Sequence, residues 1–179
     1  MKRVMIFIDG PNFLHGFKAT SHSGKHLDYR KLGEKLAALA SNRELLRIYF
    51  FCSIPNQADA RDPAQFRRQQ SFLEKLQYNG IKVTALPLRK RPNGDLYEKG
   101  VDVHLVTDLL QLGFKDAYDV AVVVSGDGDF VPAIEAVMAL GKRVEVAAFR
   151  GSKSANIHKN CDQFYFLDEI LDSAPSVFF

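Results

Sequence analysis

Val4-Met5-Ile6-Phe7-Ile8 is apolar at every position and begins almost at the amino terminus. A run without polar alternation predicts a strand buried on both faces, as in a parallel sheet. Comparable runs at 45–52, 81–88, 120–124 and 143–149 predict four more strands, and 163–167 a sixth, edge-like one. Between them the period becomes helical. Leu32, Leu36 and Leu39 mark a helix over 28–40, with Asp28 able to cap it. Phe66, Leu73 and Leu76 mark another over 63–79, opened by Pro63 and stopped by Gly80. Further helices are predicted over 100–112, over 129–140 with Pro132 in the first turn, and briefly over 152–159. Alternating strands and helices predict an α/β sandwich with a mostly parallel central sheet. No repeat, low-complexity tract or domain boundary interrupts the pattern, so residues 1–179 read as a single domain ending in a short tail. The irregular stretches 19–27 and 53–62 are candidate mobile loops near a site. Arg89-Lys90-Arg91-Pro92-Asn93-Gly94-Asp95 reads as a solvated turn.

Composition narrows the class without naming a chemistry. With 46% hydrophobic and 25% charged residues, the chain can bury an ordinary core, which excludes a disordered tail, a collagen-like fibre and a disulfide-built miniprotein. A net charge of +3 permits a polyanionic partner but does not demand one. The two cysteines, Cys52 and Cys161, could form one bridge. Cys52 ends an apolar run and reads as a buried free thiol, and no secretory signal is evident at the start, so reduced thiols in the cytoplasm are expected. No apolar stretch approaches the roughly 18–20 residues that cross a bilayer.

In open parallel sheets ligands collect beyond the carboxyl ends of the strands. Asp9 follows the first strand in Ile8-Asp9-Gly10-Pro11-Asn12, and Asp127 and Asp129 follow the fourth in Ser125-Gly126-Asp127-Gly128-Asp129-Phe130. Both groups should share one sheet edge. On a helical wheel of about 100° per residue, Asp102 falls in the middle of the arc filled by Val101, Leu105, Leu109, Leu112, Val106, Leu110 and Val103. It is expected on the buried face, where a carboxylate needs donors, a cation or a proton. Carboxylates gathered closely raise one another's pKa, and a hard cation such as Mg²⁺, which takes oxygen ligands, relieves this. Such a site can position a water and stabilise charge on a phosphodiester. Each acid also has a plainer reading: a hydrogen-bonded buried acid for Asp102, turn chemistry for Asp9 and Asp127, helix capping for Asp129. Asn12 could bind an acid or a phosphate, or simply serve the helix start. Ser125 has no evident His and acid partner and is read as a positioning or substrate-contacting group. His15 could face the same cleft, whereas His22 and His26 lack zinc-like spacing.

Asp9-Gly10-Pro11-Asn12, Lys99-Gly100-Val101-Asp102 and Ser125-Gly126-Asp127-Gly128-Asp129-Phe130, in this order, resemble the NYN domain. More narrowly, the chain is similar to the LabA-like branch of that family, within the PIN-like nuclease superfamily. Gly151-Ser152-Lys153-Ser154 also fits the branch. The resemblance covers residues 4–167. It implies a three-layer Rossmann-like sandwich with strand order 3-2-1-4-5 and a metal-dependent ribonuclease site. Asp9, Asp102 and Asp127 match the family's metal-binding acids, Asp129 a less uniform acidic position, and Asn12 the Asn that accompanies the first Asp.

The leading expectation is therefore an endoribonuclease using Mg²⁺ or Mn²⁺ held by Asp9, Asp102, Asp127 and Asp129. Water would attack an RNA phosphodiester to leave a 5′-phosphate and a 3′-hydroxyl. Arg89, Lys90 and Arg91 form the strongest phosphate-contact group, with Lys153, Arg67, Arg68, Lys142, Arg143 and Lys159 as further candidates. Tyr97 could stack on a base. The competing class is a non-catalytic module that binds RNA, a nucleotide or a protein through the same cleft. A protein partner could choose the target. The apolar tail Ser176-Val177-Phe178-Phe179 is either a docking segment, a strap folded back on the body, or disordered.

Overall fold

A computed structural model describes residues 1–56 and 62–179. The expected loop at 53–62 lies partly outside the described residues, at 57–61. Along the chain the strands are β1 (Lys2–Asp9), β2 (Arg43–Ile54), β3 (Lys82–Pro87), β4 (Arg89–Lys90), β5 (Leu96–Tyr97), β6 (Val120–Val124), β7 (Arg143–Ala148) and β8 (Gln163–Phe166). The helices are α1 (Gly10–Lys18), α2 (Tyr29–Ala37), α3 (Pro63–Tyr78), α4 (Val101–Phe114), α5 (Val131–Ala139), α6 (Ala155–Lys159) and α7 (Leu167–Ser173).

Six strands form one sheet in the order β3-β2-β1-β6-β7-β8, with every neighbouring pair parallel. Counting these main strands alone, the order 3-2-1-4-5 holds, and the sixth strand takes the edge beside the fifth. β1 is central: Ile6 pairs with Ile48 on one side and Val122 on the other. Its residues alternate between two cores, which is why the run lacks polar positions. Val4, Ile6 and Ile8 pack with α1, α2, α3 and α7 residues such as Phe13, Leu32, Leu73 and Leu171. Met5 and Phe7 pack with α4 and α5 residues such as Leu105, Leu109 and Ile134. Phe7 stacks on Tyr49 at 5.1 Å between ring centroids. Asp28 caps α2, Asp62 caps α3 and Ser154 caps α6, each accepting from a first-turn amide. Both cysteines are free, and Cys52 is buried. No helix among the described residues is long and apolar enough to cross a membrane.

The structure corrects three expectations and decides among the alternatives for the tail. Residues 89–97 are a small antiparallel ribbon, β4–β5, rather than a plain turn. The helix expected to open at Asp129 begins with the 3₁₀ turn Gly128–Phe130, and Asp127 supplies its cap. The chain after β8 is structured. Leu167, Ile170 and Leu171 of α7 join the core, Val177 O accepts from Asp28 N at 2.8 Å, and Phe178 stacks on His22 at 4.8 Å. Val177 is buried although Phe179 stays exposed, so the tail is a strap folded back on the body.

The third correction concerns Asp102, which is exposed. The packed arc of α4 is narrower than its apolar arc and centres on Val101, Leu105 and Leu109, all buried, so Asp102 falls on its flank. That flank opens on a cleft rather than on the core.

Candidate active-site cleft

Ile8 pairs with Val124, so the chain leaves β1 and β6 side by side at one edge. Asp9 is the last residue of β1 and caps α1: its Oδ1 accepts from Asn12 N at 3.2 Å. Its Oδ2 accepts from Ser125 Oγ at 2.8 Å, and that hydroxyl accepts from Asp127 N at 3.2 Å. Asn12 Oδ1 accepts from Gly126 N at 3.0 Å. The two motifs are thus cross-linked by short polar bonds. Ser125 is buried, and its hydroxyl donates to Asp9 and accepts from the Asp127 amide.

Gly126 is required by close approach. A Cβ there would stand 2.0 Å from Ser152 O and 2.8 Å from Lys153 Cα. Ser154 N donates to Gly126 O at 2.7 Å, so the loop before α6 is docked on the Asp127 turn and carries Lys153 beside it.

The third wall is the segment 98–102. Gly100, at φ 88°, occupies the left-handed region that favours glycine and opens α4. Asp102 follows in the first turn. Asp9, Glu98, Asp102 and Asp127 line one cleft of about 550 Å³, with Asn12, His15 and Lys99 also on its walls. Glu98 was not singled out by the sequence reading. Its only signal was its place just ahead of the Lys99-Gly100-Val101-Asp102 motif.

The electrostatics follow from this gathering. Burial pushes the Asp9 carboxyl up, the charges of Asp127 and Asp102 add to that, and the bonds from Ser125 and Asn12 N partly offset it. Glu98 is accessible as a residue, yet its carboxyl is raised by partial desolvation in the cleft and by Asp9, with Ser53 opposing. Among the described residues no ion pair engages these four carboxylates. No three His, Cys, Asp or Glu side chains among them stand close enough to enclose an ion. Carboxylate oxygens around an open space, some hydrogen-bonded but without an ion pair among the described residues, fit a hard cation that keeps part of its water shell, as Mg²⁺ does. They do not fit a tightly caged one.

The remaining candidates divide by position. Asp129 is exposed and does not line the cleft; its amide donates to Asp127 Oδ1 at 3.0 Å. Arg89 lines a smaller concavity that shares Lys99 and Gly100 with the cleft. Lys90 and Arg91 belong to the ribbon and its turn, where Arg91 lies 5.1 Å over the Tyr97 ring. Lys142 and Arg143 sit at the amino end of β7, the edge opposite the cleft, and are paired with Asp116 and Glu145. Arg68 pairs with Asp62 at 3.5 Å on α3.

Residues 3–168 match the NYN domain family. The chain is 28% identical over 173 residues to the low amplitude and bright protein LabA of Synechococcus elongatus, covering 94% of this chain and 85% of that protein. It also superposes on a crystal structure of a protein of unknown function from Vibrio parahaemolyticus, with a TM-score of 0.71, 21% identity and 94% of each chain covered.

Proposed function

The chain belongs to the NYN domain family, and from that premise we propose that it is a metal-dependent endoribonuclease working at the carboxylate cleft. The observation that carries the reading is the convergence of Asp9, Asp102 and Asp127, from three separate parts of the chain, on one cleft where no cation among the described residues is paired to them. Asp9, Asp102 and Asp127 would hold Mg²⁺ or Mn²⁺, and Glu98 adds a fourth carboxylate to their wall. When bound, the ion would offset their repulsion, polarise a phosphoryl oxygen and lower the pKa of a water.

The chain's own groups do the rest. Ser125 and the Asn12 amide keep the Asp9 carboxylate oriented. Asn12 Oδ1 is committed to Gly126, which leaves its NH₂ as a donor for a phosphoryl oxygen. Lys99 on the cleft wall supplies positive charge for the flanking RNA phosphates, whereas the Lys153 ammonium lies 3.3 Å from His158 Nδ1 and 5.2 Å from the Phe166 ring centroid, off the cleft lining. Asp129 stands outside the cleft and would act only through water. With so small a basic excess, choice of target falls to RNA shape or to a protein partner.

The test is incubation of purified protein with single-stranded and structured RNA in Mn²⁺, Mg²⁺ or chelator. Cleavage should require metal and vanish in Asp9→Asn and Asp127→Asn while circular dichroism is preserved. RNA left intact but still bound would establish a non-catalytic binding module instead.

A further inference from the structure

The first turn of α4 has two sides. Asp102 faces the carboxylate cleft, whereas Val103 and His104 line a second concavity of about 270 Å³ with Leu86, Pro87 and Arg89. Lys99 and Gly100 form the wall common to both. Leu86 and Pro87 end β3, so this pocket lies along the same sheet edge, outward from the carboxylates. Val103 is 60% exposed, a large apolar side chain facing away from both cores. The pocket is smaller than the roughly 300–1,000 Å³ of a drug-sized ligand site, which suits one flat ring system. Its walls are aliphatic with one imidazole, and its rim carries two cations, Arg89 and Lys99. The rim is braced by the β4–β5 ribbon, itself held by Arg91 over Tyr97.

We propose that this pocket holds the unpaired base of the nucleotide next to the scissile phosphate, with Arg89 and Lys99 meeting its phosphate. The proposal rests on the nuclease reading and specifies its substrate as single-stranded RNA. Every base offers an apolar face to Leu86, Pro87 and Val103 and a π-face to His104, so the contact tolerates sequence. A base inside a duplex cannot reach it without being unpaired.

The test compares a fluorescent oligouridylate with its counterpart carrying alternating abasic riboses. Wild type should cleave the base-bearing strand with a kcat/KM about tenfold higher or more. Val103→Gln, on an exposed helical position, should bring that ratio close to one. A wild-type ratio near one, or a ratio unchanged in Val103→Gln, overturns the proposal. If neither strand is cleaved with metal, the nuclease reading fails, and anisotropy in chelator decides the pocket separately. Tighter binding of the base-bearing strand that Val103→Gln removes supports the pocket. Equal or absent binding rejects it.

Discussion

Replacing Gly126 by Ala tests the docking that joins the Asp127 turn to the loop before α6. The new Cβ would meet Ser152 O at 2.0 Å, Ser152 C at 2.5 Å and Lys153 Cα at 2.8 Å, all backbone atoms that no rotamer change can move. The loop must retreat by about 1 Å, which breaks the 2.7 Å bond from Ser154 N to Gly126 O. Overpacking costs about 1–3 kcal/mol, and a buried acceptor left unpaired costs on the order of 1–3 kcal/mol more. A combined loss of about 3–4 kcal/mol should lower Tm by roughly 6–15 °C for a chain of this size. Two other glycines serve as controls. At Gly128 the obstacle is Ser154 Oγ at 2.8 Å, a side chain that can turn away by giving up its 3.2 Å cap to Ile157 N. Gly128→Ala should therefore cost about 1 kcal/mol. At Gly151 nothing lies within 4 Å, and Ala should change stability by less than about 0.5 kcal/mol. Thermal and urea melts read the series. If Gly126→Ala melts with Gly151→Ala, the close approach is not present in solution and the reasoning fails.

Glu145 is fully buried and bonded by Arg43 at 2.7 and 2.9 Å and by Arg143 at 2.6 Å. Glu145→Gln should destabilise by about 3–5 kcal/mol, measured by urea unfolding. Burial pushes this carboxyl up, but the two guanidiniums outweigh it and hold it below the ordinary range. Its contribution is thus complete above the unfolded value of about 4.3 and is lost as pH falls through its lower folded value, so the gap between wild type and variant should close in acid. A gap independent of pH would contradict this. Asp102→Leu should abolish cleavage yet leave stability within about 0.5 kcal/mol, because Asp102 is exposed; a Tm drop of several degrees would restore a structural role. Burial, and then Glu98, push the Cys52 thiol up to about 11, so iodoacetamide at pH 8 should label it only on unfolding. Rapid labelling of native protein, followed by mass spectrometry, would refute that placement.

The strands were legible because a run such as Val4–Ile8 is apolar on both faces, and only a covered parallel sheet accommodates it. The shared edge of Asp9 and Asp127 followed from the same fact, since acids directly after parallel strands must emerge together. Depth was harder to read. Val103 and Asp102 both belonged to the apolar arc of α4, yet both are exposed, because the packed part of that arc centres on Val101, Leu105 and Leu109 and leaves its flanks open. Glu98 lies between a ribbon and a helix with no periodic context, so nothing but its neighbourhood to Gly100 pointed to the cleft. α7 spans seven residues, too few for a helical period to stand out against the apolar strand before it. The tail's fate depended on partners far away in sequence, Asp28 and His22, which local pattern cannot supply.

The central claim is that acids from three parts of the chain gather in one cleft to hold a divalent cation. Anomalous diffraction from crystals soaked in Mn²⁺ tests it directly. The account predicts a peak within reach of Asp9, Asp102 and Asp127 that disappears in Asp9→Asn crystals soaked in the same way. A cleft without manganese, or a peak indifferent to Asp9→Asn, would contradict it.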